Sequence, residues 1–445
     1  MKVAIIGVGH VGLVSAACLA EWGHDVVGMD DDASRIGRLQ RGEMPFYEPG
    51  LEELVARHTA SGRLRFSPDV GEAIDGAEIA FVCVGTPALP GGGPNLSYVE
   101  TVGRNIARHA TGDLVLVEKS TVPVSTGERL MQVIAREQAI EGNDHRIEVA
   151  SNPEFLREGV AVHDTLHPDR IVVGASSQEA IATLQELYRP VIDAEATPMV
   201  CTDVPTAELI KHASNAFLAL KISYINAVAR VCELTGADVE VVAHGMGLDE
   251  RIGNEFLRPG LGYGGSCFPK DVDAFAHLAR KVGYEFHLLE EVRRINDGQR
   301  ALVLAKLTGE LWHLQGKTIA LLGAAFKPGT DDLREAPAMY LAQELLDEGA
   351  TVRIYDPVAL PAVKQQLPEV EAVADPLEAM RGAHAAVVTT EWAEVQALDP
   401  AMMVDALAYP ILVDARNSFD PDRCRDAGLH YHGIGRGTNR RVAAD

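Results

Sequence analysis

Residues 2–12 read KVAIIGVGHVG, and this stretch decides the architecture. Val3–Gly7 is apolar without alternation, as a strand buried on both faces of a parallel sheet must be. Gly7, Gly9 and Gly12 follow in GxGxxG spacing, with His10 and Val11 opening a helical pattern. The first glycine permits a tight turn. The second lets the backbone approach a pyrophosphate, and the third lets helix and strand pack closely. The pyrophosphate would sit on free N–H groups at the helix N-terminus. Asp30 ends the next apolar run, where a carboxylate can accept hydrogen bonds from a ribose diol. Asp31 and Asp32 follow and would repel a 2′-phosphate, so the expected cofactor is NAD and not NADP. Residues 3–20 also resemble the apolar region of a signal peptide, but three glycines and a central His10 suit a tight turn better.

Outward from this turn, apolar runs alternate with helical patterns through the first third of the chain. The strand candidates are Val3–Gly7, Asp25–Asp30, Ile79–Gly85, Leu114–Glu118, Ile147–Ala150 and Ile171–Gly174. The middle is helical. One long pattern without Pro or Gly runs from Thr206 to about Leu234, started by Asp203 and Pro205 and stopped by Gly236. Further helical segments cover 238–246 and 270–312, with the glycine-rich loop PGLGYGG (259–265) between them. Strand-like runs return at Thr318–Gly323, Thr351–Tyr355, Ala385–Thr389 and Ile411–Asp414, after a polar junction at His313–Lys317. The layout is therefore α/β, then helical, then α/β, with the alternation of the first third pointing to a parallel, doubly wound sheet and RGTNRRVAAD (436–445) as a loose tail.

Composition bounds the function. A chain of 445 residues exceeds one core, so two or three domains are expected. The net charge of −24 argues against nucleic acid and anionic membrane surfaces as partners, and an anionic substrate would need a local cluster of Lys and Arg. Beyond residues 3–20, no stretch is long enough to span a bilayer. The cysteines at 18, 83, 201, 232, 267 and 424 form neither CxxC pairs nor a zinc pattern, which fits a reducing cytoplasm and no metal site.

Three polar signatures follow first-domain strands: Thr86-Pro87, Ser120-Thr121 and Glu154. Ligands of open α/β sheets bind outside the carboxyl ends of the strands, so one crevice could gather all three. Lys211 and Asn215, four residues apart, share a face of the long helix, and the apolar Ile210, Phe217, Leu218 and Leu220 around them imply that this face is partly covered. Cys267 follows Gly264-Gly265-Ser266 and precedes Phe268-Pro269-Lys270-Asp271. Pro269 suits the first turn of a helix, which sets Cys267 near its N-terminus, where the macrodipole favours thiolate. A dinucleotide and a nucleophilic cysteine together suggest more than alcohol oxidation. An aldehyde can be trapped as a thiohemiacetal, oxidised again to a thioester and hydrolysed to an acid.

The blocks GVGHVG (7–12), FVCVGTP (81–87), EKSTVPVST (118–126), SNPEFLREG (151–159), PDRIVVG (168–174), ELIKHASNAFLALKISYIN (208–226), RPGLGYGGSCFPKD (258–271) and FKPGTDDLREAP (326–337), in this order, resemble the UDP-glucose/GDP-mannose dehydrogenase family over nearly the whole chain. Within it the likeness is greatest to the bacterial branch acting on UDP-glucose. The resemblance implies an α/β fold of two Rossmann-like doubly wound domains joined by a central helical dimerisation domain built on the long helix, with an NAD domain at 1–200, the helical domain at 201–312 and a nucleotide-sugar (UDP)-binding Rossmann-like domain at 313–445. It implies UDP-glucose, two NAD and water giving UDP-glucuronate and two NADH, in a homodimer or higher homo-oligomer. It implies Cys267 as nucleophile, with Thr121, Glu154, Lys211, Asn215 and Asp271 as its polar set. Glu154 and Asp271 would work through water in proton transfer and thioester hydrolysis, while Lys211 and Asn215 would stabilise the oxyanion at C6. The first base is either Lys211 or a water held by Asp271. Besides the glycine turn and Asp30, the implied NAD contacts are Arg35, Thr86, Thr121, Glu158 and Arg334. The implied substrate contacts are Phe155, Leu156, Arg157, Glu158, Lys211, Asn215, Phe256, Arg258, Tyr263, Gly264, Lys327 and Arg416, with Arg251 reaching a neighbouring subunit's substrate. His10 and Ser125 stand where the family often has Tyr and Gly.

Three other readings compete. The substrate could be GDP-mannose, UDP-N-acetylglucosamine or UDP-N-acetylmannosamine, with the same chemistry. A two-electron hydroxyacid dehydrogenase would have no use for Cys267. A non-catalytic nucleotide-sugar binder would form no NADH.

Overall fold

The structure is a computed structural model that describes residues 1–87, 89 and 93–436. It contains two compact units, Met1–Ser214 with Asp273–Tyr284, and Asn215–Val272 with Glu285–Asp445.

The first unit is built on an eight-stranded sheet. Its strands are β1 (Lys2–Ile6), β2 (Asp25–Met29), β3 (Leu64–Ser67), β4 (Ile79–Val82), β5 (Leu114–Glu118), β6 (Ile147–Ser151), β7 (Ile171–Ala175) and β8 (Met199–Thr202). Their order is β3-β2-β1-β4-β5-β6-β7-β8, parallel throughout except where β6 meets β7. Apolar clusters cover both faces, one containing Ile5, Leu13 and Phe81, the other Ile6, Val82 and Ile106. That double burial is why β4, β5 and β7 are apolar at every position but the last of β5. The signal-peptide alternative fails here: residues 3–20 form β1, the turn and a helix (His10–Glu21) whose Gly12–Ala20 stretch is buried.

The second unit carries a six-stranded parallel sheet, ordered β11-β10-β9-β12-β13-β14. These are β9 (Thr318–Leu322), β10 (Thr351–Tyr355), β11 (Glu371–Val373), β12 (Ala385–Val388), β13 (Ile411–Asp414) and β14 (His430–Gly433). Four strands across the two sheets escape the sequence reading: β3, β8, β11 and β14. All lie at or next to a sheet edge, where half-exposed positions break up the apolar run, as in β8, whose middle two residues are exposed.

The long helix runs Val204–Thr235. Asp203 accepts the Thr206 N–H at 2.8 Å as its cap, and Gly236 at φ +78° ends it. The helical pattern expected over 270–312 is two helices, Phe268–Lys281 and His287–Leu311, separated at Gly283 with φ +86°. The expected loose tail lies, beyond Arg436, outside the described residues. Among the described residues no helix is long and apolar enough to cross a membrane.

One polar contact within the first unit has a cost. Glu118 ends β5 and faces Glu208 of the long helix, and both are buried. Glu208 accepts the N–H groups of Ser125 at 2.7 Å and Gly127 at 2.9 Å. Burial raises the Glu118 pKa well above the usual carboxylate range, and the neighbouring Glu208 raises it further. Burial likewise pushes Glu208 up, to about 7, against the pull of the two backbone N–H groups. Both folded-state values exceed the unfolded ones, so the pair's stability is full below the ordinary carboxylate pKa and is lost as pH rises through about 7. The melting temperature should therefore fall between about pH 5 and 8. Glu118→Gln, which can donate to Glu208, should flatten that slope in a pH series at constant ionic strength.

Candidate active site

The dinucleotide turn begins where β1 ends. Gly7 has φ +97°, and a Cβ there would lie 2.8 Å from the Cys83 carbonyl oxygen. A Cβ on Gly12 would stand 1.8 Å from the Gly7 oxygen, so the helix packs on the turn only with glycine at that position. Gly9 differs: a Cβ there would meet no protein atom within 4 Å. Gly9 also caps His10–Glu21 without any side-chain hydrogen bond. Open space beside uncapped helical N–H groups fits a dinucleotide pyrophosphate. Asp30 is buried and accepts the Val8 N–H at 2.9 Å, the Asp32 N–H at 3.1 Å and Arg35 Nη1 at 2.8 Å. Arg35 is thus engaged by Asp30, and Asp32 caps the next helix through Ser34 and Arg35. Thr86 and Thr121 come together, the Thr86 hydroxyl donating to the Thr121 carbonyl at 2.9 Å.

Glu154 and Lys211 form a buried ion pair at 2.9 Å, and the other Glu154 oxygen accepts the Leu156 N–H at 2.9 Å. Two cations stand over the Phe155 ring, Lys211 Nζ at 5.4 Å and the Arg170 guanidinium at 3.9 Å from its centroid. Arg157 pairs with Asp164. Two supports escaped the sequence reading. Buried Lys119 donates to Asn152 Oδ1 at 2.9 Å, pinning the start of the SNPEF loop. His212 contacts the Val122 carbonyl at 2.8 Å, tying the segment after Thr121 to the long helix.

Within the second unit, Cys267 immediately precedes the helix Phe268–Lys281, and its carbonyl accepts the Asp271 N–H at 2.8 Å. Cys267 is therefore the N-cap residue, as expected from Pro269, with Ser266 Oγ 3.5 Å from its sulfur. Asp271 is fully buried, and its carboxylate accepts Asn215 Nδ2 at 2.6 Å and Lys270 Nζ at 2.7 Å. Burial raises the thiols of Cys18 and Cys83 to about 12 and that of Cys424 to about 11, and also raises Cys232. These four thiols are buried and held in the protonated form, while Cys267 is partly exposed and Cys201 is exposed.

The glycine-rich loop before Cys267 is held by side chains that spacing alone did not disclose. Asn226 accepts the Gly260 N–H at 2.8 Å, Asn296 the Tyr263 N–H at 2.8 Å, and Gln299 donates to the Gly260 carbonyl at 2.8 Å. Gly264 has no room for a side chain, since a Cβ would lie 2.2 Å from the Glu335 oxygen. Arg416 spans three backbone carbonyls, Thr389 at 2.8 Å, Gly262 at 3.2 Å and Phe326 at 3.3 Å. The rings of Phe256 and Tyr263 lie 6.0 Å and 5.8 Å from that of Phe268. Lys327 is half-buried, Arg258 is exposed, Arg334 pairs with Asp332, and Arg251 pairs with Asp249 at the surface. The face of the long helix that carries Lys211 and Asn215 is covered, as expected, both residues being buried, while Phe217 is 60% exposed in the single chain.

Family models of the UDP-glucose/GDP-mannose dehydrogenase family match three segments: its NAD binding domain at residues 1–192, its central domain at 205–298 and its UDP binding domain at 320–421. A UDP-glucose 6-dehydrogenase of Bacillus subtilis (YwqF) is 44% identical over 437 residues, covering 98% of each chain. A UDP-glucose 6-dehydrogenase of Pseudomonas aeruginosa is also 44% identical, with 98% of each chain covered. The solved UDP-glucose dehydrogenase of Pyrobaculum islandicum superposes with a TM-score of 0.90 at 38% identity over 97% of each chain.

The glycines make separate predictions. Gly9→Ala should fold with an unchanged melting temperature yet bind NADH more than about tenfold more weakly by calorimetry. Gly12→Ala should lose the fold of the turn and appear largely as insoluble protein. Unchanged NADH affinity in Gly9→Ala would remove the pyrophosphate from this turn.

Proposed function

The chain belongs to the UDP-glucose/GDP-mannose dehydrogenase family, and on that premise we propose that it catalyses the NAD-dependent, four-electron oxidation of UDP-glucose to UDP-glucuronate through a thioester on Cys267. The full-length likeness to UDP-glucose 6-dehydrogenases supports the substrate. The observation that carries the four-electron chemistry is the partly exposed Cys267 as N-cap residue, four positions before Asp271.

Gly7, Gly9 and Gly12 with Asp30 would hold NAD, aided by Arg35, Thr86, Thr121, Glu158 and Arg334. NAD held there would supply the hydride acceptor for C6 in each of the two oxidations. The first base takes the C6 hydroxyl proton. Lys211 can pass a proton to Glu154 at 2.9 Å, and a water on Asp271 is the alternative. The Cys267 thiolate then adds to the aldehyde carbon, forming the C–S bond of a thiohemiacetal. Its oxyanion is stabilised by the Lys211 ammonium and the Asn215 amide, and the second oxidation leaves a thioester. Water activated at Glu154 or Asp271 attacks the thioester carbonyl. The C–S bond breaks, the thiolate is regenerated, and the carboxylate leaves. Phe155–Glu158, Phe256, Arg258, Tyr263, Gly264, Lys327 and Arg416 would position the nucleotide sugar, the cations facing its diphosphate.

We assign the chain's organisation as an NAD domain at 1–200, a helical domain at 201–312 and a nucleotide-binding domain at 313–445, in line with the three matched segments. The partner is a second copy. Phe217, Tyr224 and Val231 recur every seven residues on the long helix and are 60%, 49% and 58% exposed, an apolar stripe that calls for a cover. Arg251 would reach the neighbouring subunit's substrate. The free cysteines support a cytoplasmic setting.

Two measurements test this reading. At limiting UDP-glucose, two NADH should form per sugar by absorbance. One would end the reaction at an aldehyde and remove the role of Cys267, and none would redirect the substrate to GDP-mannose or the N-acetylated UDP-sugars. Cys267→Ser should lower acid formation by more than about a hundredfold while UDP-glucose still binds. Separately, Phe217→Lys with Tyr224→Lys should convert the oligomer to monomer in light scattering. An unchanged mass would place the interface elsewhere.

A further inference from the structure

Glu48 lies in the segment FYEPG (46–50), between the first two helices that follow β2, and its side chain is completely buried. Three polar contacts converge on its carboxylate. Oε2 accepts the Gly159 N–H at 2.7 Å, Oε1 accepts the Ala161 N–H at 2.8 Å, and His10 Nε2 stands 2.9 Å from Oε2. His10 is the first residue of the helix that leaves the dinucleotide turn, and its ring stacks on Phe46 with centroids 4.4 Å apart. Gly159 and Ala161 close the loop that begins at Glu154, and Gly159 takes φ +84° where that loop turns. One carboxylate thus holds two backbone N–H groups at the end of that loop and the His10 ring at the start of the helix that leaves the turn, segments more than a hundred residues apart in sequence.

We propose that Glu48 is a positioning residue that couples the two ligands: through His10 it links the dinucleotide turn to the loop 154–160, so that NAD and the nucleotide sugar each bind more tightly when the other is present. This rests on the reading above, in which that loop holds the nucleotide sugar. The physical basis is shared ordering. A ligand on the turn fixes His10 and hence Glu48. Glu48 fixes two backbone N–H groups of the loop, and the second ligand meets a loop already in place. Coupling between binding sites is reciprocal, so either ligand can be titrated. The link to His10 is also the part that can be removed gently. Phenylalanine at this position keeps the stack on Phe46 and loses the hydrogen bond to Glu48.

The test is calorimetric titration of NADH into the protein alone and into protein saturated with UDP-glucose, a pairing in which no oxidation occurs. In the wild type, UDP-glucose should tighten NADH binding at least about fivefold. In His10→Phe the ratio should fall below about twofold, and in His10→Gln, whose amide can donate to Glu48, it should recover. A residue that only holds the fold would lower the melting temperature and both affinities while leaving the ratio unchanged. A ratio of one in the wild type, or the wild-type ratio in His10→Phe, overturns the coupling. Phe155→Ala tests the loop reading itself, since UDP-glucose affinity for the cofactor-free protein should fall more than about tenfold. Unchanged affinity there rejects this loop as the sugar site, and the coupling through it, whatever the ratio does.

Discussion

A parallel sheet buried on both faces leaves no place for polar side chains except at the ends of its strands. In the first unit that constraint arranges the chemistry. The interiors of β4, β5 and β7 meet no water. Asp30 follows β2, Thr86 follows β4, Thr121 follows β5 and Glu154 follows β6, all at carboxyl ends. The same rule governs the second sheet, where Thr389 and Thr390 follow β12 and Asp414 ends β13. Helices carry the other reactive groups of each unit: a cation at Lys211 on the long helix in the first, and in the second a sulfur at Cys267, at the start of a helix.

Charge placed in such an interior must be answered locally. Lys211 and Glu154 are both nearly inaccessible, and removing either partner of such a pair costs about 3–5 kcal/mol, because the survivor stays buried and unpaired. Hydrophobic residues could replace the pair at little cost in stability, so folding alone does not account for it, in keeping with the proton-transfer role proposed above. Asp271 is handled differently. It is fully buried, but an amide and an ammonium share its two oxygens, which keeps a carboxylate available one helical turn from the sulfur. Glu118 and Glu208 are the exception, two buried acids facing each other, and burial answers by raising their pKa values.

The features legible in the sequence share one property: a short, local pattern states them. β1, its glycine turn and Asp30 are local, and so are the long helix between Asp203 and Gly236 and the placement of Cys267 before Pro269. The edge strands were not legible, because short segments such as LRFS (64–67), with two polar residues in four, carry little apolar signal. The break at Gly283 was lost inside a continuous helical pattern, since one glycine is tolerated within many helices. Asn226, Asn296 and Gln299 look like ordinary polar helix positions, and their role depends on a loop that returns from elsewhere in the chain. Glu48 is hidden for the same reason: its partners are 38 to 113 residues away.

The second sheet repeats the order of the first six strands of the first sheet, but the two use the ends of their first strands differently. After β1, Asp30 takes only the Val8 N–H from the turn, and the space beside Gly9 stays open. After β9, the corresponding acid is Asp356, which follows β10. One of its oxygens accepts the N–H groups of Ala324 at 2.8 Å and Ala325 at 3.1 Å, together with the Trp392 indole at 3.0 Å. The turn GAAFKPG (323–329) has alanines where GVGHVG (7–12) reaches its second glycine, and its N–H groups are already satisfied by a protein carboxylate. A phosphate arriving there would have to displace a buried anion from its donors, whereas at Gly9 it would supply the missing acceptor. Duplicated architecture therefore does not duplicate the dinucleotide site. The second sheet keeps the fold and closes its own turn with a carboxylate from its own chain.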